Sequence, residues 1–128
     1  MDRYVSLAAM GDSLGLYAGN DSQIYTTLAL GGLGVISVLS NILPRLAVDI
    51  CESFFKGDYK STRELQFGAM PLISALFTET NPAPVKYAMH KLGLCENSLR
   101  LPLMAIEKET ERKIDAMLED DFVKSYIT

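Results

Sequence analysis

Two short apolar runs, residues 14–18 and 35–39, constrain what this chain can fold into more than any other feature. The first ends Leu16-Tyr17-Ala18; the second, Val35-Ile36-Ser37-Val38-Leu39, is strongly β-branched. Neither alternates apolar and polar residues cleanly, which is how a strand covered on both faces in a parallel sheet reads. Between them, Gly19, Asn20, Asp21 and Ser22 are suited to a helix N-cap, Ile24 and Leu28 carry a helix, and Gly31 and Gly32 end it. The pattern is therefore strand, helix, strand, with a second helix following Ser40 and Asn41.

Helical spacing dominates the rest. Tyr4, Leu7 and Ala8 predict a short helix before the first strand, stopped at Gly11, Asp12 and Ser13. After Asn41, Leu43, Leu46, Ala47, Ile50, Cys51, Phe54 and Phe55 repeat the three-four spacing, and Gly57 ends the helix. Asp58 caps the next one, whose buried stripe is read as Leu65, Ala69, Leu72, Ile73 and Leu76 and which runs to about Thr80, before Asn81 and Pro82. Val85, Ala88, Met89 and Leu92 mark a shorter helix before Gly93. A last helix carries Ile114, Met117, Leu118 and Phe122. The reading is an α/β chain, mostly helical by residue count, in which residues 1–57 hold two βα units with a helix in front and residues 58–128 form a helical subdomain. Two parallel strands leave unpaired edges, whereas a closed (βα) barrel uses eight units in roughly 250 residues, so the chain reads as part of something larger.

Its 128 residues suffice for one domain with a sizeable core. A net charge of -4 gives no reason to expect a nucleic-acid partner, and no apolar stretch of about 18 residues offers a membrane span. No secretory signal is visible, and the expected compartment is the cytoplasm. Cys51 and Cys95 stand in no ligand spacing and are expected as small buried hydrophobes, leaving no metal site or disulfide framework.

Four segments in order carry a resemblance: Ala18-Gly19-Asn20-Asp21, Leu30 through Asn41 (LGGLGVISVLSN), Glu79 through Lys86 (ETNPAPVK), and Leu99-Arg100-Leu101-Pro102-Leu103. Together they resemble the C-terminal portion of the dihydrodipicolinate synthase (4-hydroxy-tetrahydrodipicolinate synthase) family, over nearly the whole chain to about Leu118. The resemblance implies the last two units of a (βα)8 TIM barrel followed by a C-terminal helical subdomain. It implies a lyase that holds pyruvate as a Schiff base and condenses it with aspartate semialdehyde in the diaminopimelate route of lysine biosynthesis, without a cofactor. The imine-forming lysine, the proton-relay tyrosines and threonine, the arginine for the second substrate and the feedback site then fall outside this chain. It reads as a truncated form, inactive alone, with no catalytic residue of its own. As alternatives it is a self-associating assembly module, a homo-oligomer, or one half of a split enzyme paired with a complementary N-terminal fragment.

Two positions carry over from the family. Gly19, at the end of the seventh strand, and Ile36, in the eighth, match residues lining the pyruvate pocket. The plainer readings are a strand-to-helix turn for Gly19 and a core strand residue for Ile36. Asn20 stands where the family often has Asp.

Other tempting residues have blander readings. Lys86 follows Pro84 at a helix start with nothing to depress its pKa, and is read as surface or capping structure. His90, the single histidine, is read as a partly exposed structural residue. Gly31, Gly32 and Gly34 lead from helix to strand, the reverse of a phosphate-binding turn. The mixed charges from Glu107 to Lys124 form a solvated helix face.

Overall fold

A computed structural model describes residues 2–127. The elements are α1 (Asp2–Ala8), β1 (Tyr17–Ala18), α2 (Ile24–Ala29), β2 (Gly34–Val35), α3 (Pro44–Phe55), α4 (Tyr59–Leu76), α5 (Ala83–Lys91), α6 (Lys108–Leu118) and α7 (Asp121–Lys124), with 3-10 turns at Gly11–Ser13, Asp21–Gln23 and Leu39–Asn41. The two strands pair in parallel, Tyr17 level with Gly34 and Ala18 with Val35. Hydrogen bonds beyond the strand limits extend the ladder: Leu33 N–H donates to Leu16 O at 2.8 Å and Ile36 N–H to Ala18 O at 2.8 Å. No described helix is long and apolar enough to cross a membrane.

Both strands are shorter than the apolar runs predict. Leu14 is 43% exposed and finds no strand beside it among the described residues. The second run leaves the ladder after Ile36 because the Asp21 carboxylate captures the Ser37 hydroxyl and the Val38 and Leu39 N–H groups, bending residues 37–41 into a turn. The terminal helix is also divided: Asp120 accepts from Phe122 N–H at 3.0 Å and Val123 N–H at 3.3 Å, capping α7 as a separate element. Capping thus overrides the apolar spacing that joins Phe122 to Leu118. Helix α4 stops at Leu76, short of Thr80.

The core lies between the sheet and α2, α3, α4 and α6. Ile24, Leu39, Leu46, Ile50, Leu72 and Ile114 are completely buried within it, each worth about 1.5–3 kcal/mol by burial. One core runs through residues on both sides of Gly57. Asp58 accepts from Ser61 N–H at 3.0 Å, the cap the sequence predicts for α4. Along α4 the buried stripe is Thr62, Gln66, Ala69, Ile73 and Leu76, joined by Leu72; Leu65, expected on it, is half-buried. Cys51 and Cys95 are also half-buried rather than enclosed. His90 is exposed and meets Cys95 O through Nδ1 at 3.1 Å.

Helix α2 ends in a paired-glycine cap. Gly31 N–H donates to Leu28 O and Gly32 N–H to Thr27 O, both at 2.9 Å, with Gly31 at φ 87°. A Cβ on Gly32 would lie 2.7 Å from Thr27 O, a backbone atom that cannot swing away. Gly32→Ala is therefore expected to destabilise the chain by about 1–3 kcal/mol in urea unfolding, through overpacking; an unchanged midpoint would contradict this close approach.

Candidate functional site

In a parallel βα arrangement ligands bind beyond the carboxyl ends of the strands. Here that rim consists of residues 19–21 after β1 and 36–41 after β2. The register places Gly19 and Ile36 next in line after the paired residues Ala18 and Val35. The two sequence-predicted positions therefore lie side by side on one rim.

Their surroundings separate the readings left open by the sequence. Ile36 is 72% exposed, so in this structure it is not a core strand residue. Gly19 is exposed, has no left-handed φ, and has no atom within 4 Å of the place a Cβ would occupy. Neither turn geometry nor packing requires glycine there. Tyr17 and Leu33, at 49% and 56% exposed, extend the open apolar surface down the same sheet.

What fixes the rim is a residue the sequence reading treats only as a local cap. Asp21 is fully buried. Its Oδ1 accepts from the Ser37 hydroxyl, while Oδ2 accepts from Val38 N–H at 2.9 Å and Leu39 N–H at 3.1 Å. Charge-assisted hydrogen bonds of this kind offset the cost of burying the carboxylate. Ser37 Oγ in turn accepts from Ser40 N–H at 2.8 Å, so this hydroxyl is committed on both sides and is no free nucleophile. Asn20 is the true local cap, its Oδ1 accepting from Ser22 N–H at 3.0 Å and Ser22 Oγ–H at 2.9 Å. The available signal was the pairing of a carboxylate after one strand with a Ser inside the next apolar run.

Each lysine has a partner outside residues 19–21 and 36–41. The seven lysines are Lys56, Lys60, Lys86, Lys91, Lys108, Lys113 and Lys124. Six pair with carboxylates: Glu52, Glu64, Asp115, Glu111, Glu109 and Glu119 respectively for Lys56, Lys60, Lys91, Lys108, Lys113 and Lys124. Lys86 donates to Ser98 O, as its surface reading anticipates. Hydrogen bonding to Asp115 and the attraction of its charge push the Lys91 amine above its ordinary pKa; Glu111 does the same for Lys108. A hydrogen bond to Glu119 raises Lys124 likewise. Burial pushes the Cys51 thiol up, away from thiolate chemistry. Among the described residues no cluster of His, Cys, Asp or Glu could hold a metal ion.

Parallel strands, each leading into a helix, with an open rim at their carboxyl ends, define a βα-unit protein of the barrel type. The Dihydrodipicolinate synthetase family matches residues 2–121. The chain belongs to that family. The 4-hydroxy-tetrahydrodipicolinate synthase of Clostridium tetani (strain Massachusetts / E88) is 46% identical over 101 residues, covering 79% of this chain and 34% of the relative. The solved dihydrodipicolinate synthase of Thermotoga maritima is 41% identical with a TM-score of 0.86, covering 92% of this chain and 40% of that one. The chloride-inhibited dihydrodipicolinate synthase of Acinetobacter baumannii, solved in complex with pyruvate, is 29% identical with a TM-score of 0.86, covering 92% and 41%. The chain thus spans about two-fifths of the length of these solved relatives, and the likeness is to their C-terminal portion.

Asp21→Ala leaves three donors without this acceptor, that of Leu39 buried and those of Ser37 and Val38 partly so, and is expected to cost about 3 kcal/mol. Gly19→Ala, with open space around it, is expected to change stability by less than about 0.5 kcal/mol. Urea unfolding of the two variants side by side checks both; equal effects would mean that Asp21 does not hold the rim.

Proposed function

We propose that this chain supplies the last two βα units of a dihydrodipicolinate synthase-like lyase, in which Gly19 and Ile36 form one wall of a pyruvate pocket. In this reading the pocket belongs to an enzyme that condenses pyruvate with aspartate semialdehyde in lysine biosynthesis. The Schiff-base lysine comes from a strand outside these residues, so the chain is silent by itself. The observation that carries the reading is the pairing of every lysine away from the rim. An amine must lose its proton to attack a ketone, and the carboxylate partners that raise the pKa of Lys91, Lys108 and Lys124 oppose that step. The exposed Ile36 beside an unencumbered Gly19 supports the pocket wall, since glycine lets backbone approach a ligand. The pyruvate complex of the A. baumannii relative supports the ligand class.

A second reading, favoured by the open sheet, is association with further copies or with a complementary polypeptide. Tyr17, Leu33 and Ile36 present apolar surface, and each strand has an edge unpaired among the described residues.

Incubation of the chain with pyruvate and borohydride, followed by intact mass measurement, is expected to leave its mass unchanged. A reduced pyruvate adduct on any of the seven lysines would overturn the assignment of the imine to another strand. Light scattering is expected to show an oligomer at high concentration; a monodisperse monomer would count against the association reading.

A further inference from the structure

Gln66 is the one buried amide side chain of α4, and it sits where helical spacing calls for an apolar residue. It is 4% exposed, between Thr62 and Ala69 on the stripe that faces the core. Its Oε1 accepts from Tyr25 N–H at 3.2 Å, and its Nε2 donates to Asp21 O at 3.0 Å. An N–H and a C=O can be matched by a single amide in only one orientation, so both partners are fixed by one side chain. Tyr25 N–H belongs to the first turn of α2, whose donors have no intrahelical acceptor. A leucine at this position would fill the space, strip Tyr25 N–H of this acceptor, and leave Asp21 O with Ile24 N–H as its remaining donor.

The second half of the connection runs through Asp21 itself. Its backbone carbonyl is held by Gln66, while its carboxylate holds Ser37, Val38 and Leu39. Gly19 stands two residues before Asp21, and Ile36 immediately before Ser37. A shift of α4 therefore reaches both rim positions through two buried polar links in series. We infer that Gln66 is a positioning residue, through which the helical subdomain sets the spacing of Gly19 and Ile36. The meaning of that spacing as a ligand wall rests on the proposed lyase reading; the coupling itself does not.

The test is amide NMR of the whole 14.1 kDa chain. Gln66→Leu is compared with Ile114→Val, a core substitution in α6 with no link to the rim. Gln66→Leu is expected to move the Gly19 and Ile36 cross peaks, whereas Ile114→Val leaves them in place. It is also expected to speed hydrogen exchange at Val38 and Leu39 about tenfold, as loss of one hydrogen bond's worth of local stability does. Gln66→Glu adds a signature that simple buttressing lacks. At low pH its neutral acid can accept from Tyr25 N–H and donate to Asp21 O, so the native cross peaks return, and they depart again as the acid ionises. Should Gln66→Leu fail to fold, the Gln66→Glu titration decides alone. Rim cross peaks that stay in place in Gln66→Leu, or that ignore the protonation of Gln66→Glu, overturn the inference. Such a result leaves the lyase reading to be decided by pyruvate trapping.

Discussion

The buried carboxylate of Asp21 is the constraint on which the rest of this structure depends. Two strands with two paired residues each cannot hold a sheet together in water. Asp21 adds three hydrogen bonds between the loops that follow them, at the end of the sheet where a barrel protein places its chemistry. Those bonds end the second strand early, start the turn at Leu39–Asn41, and aim α3 back across the core. The same residue that shortens the sheet thus orders the rim.

Behind the rim, stability comes from helices packing on helices. The open part of the sheet contributes little, since Tyr17, Leu33 and Ile36 all remain exposed. The surface ion pairs contribute little either, because exposed Lys–carboxylate pairs lie in high dielectric and are screened by salt. Their importance here is chemical: the pairs at Lys91, Lys108 and Lys124 raise those amines above their ordinary pKa, away from what imine formation needs. The chain, about two-fifths the length of its solved relatives, keeps a rim fixed by its own hydrogen bonds.

Much of this architecture was legible in the sequence. The stripe from Leu43 to Phe54 predicts α3, and Asp58 predicts the start of α4, because capping and periodicity are local and leave residue-level marks. The strand limits were not legible, since a β-branched run says nothing about a carboxylate from another loop taking over its N–H groups. Gln66 was missed for a related reason: an apolar-stripe reading passes over a polar residue whose partners lie 41 and 45 positions away. Gly19 and Ile36 are singled out by family motifs alone, and their adjacency is visible only with the parallel register. Phe122 was assigned to the wrong helix because Asp120, a cap, falls where the spacing expects continuity.

The central claim, that this rim is a pyruvate-pocket wall whose imine lysine is supplied by other strands, is tested most directly by mixing. The chain would be refolded with a polypeptide carrying the remaining βα units of the T. maritima relative, then treated with pyruvate and borohydride and weighed. The account predicts an adduct on the added polypeptide in the mixture and none on this chain. An adduct on one of this chain's own lysines would contradict it.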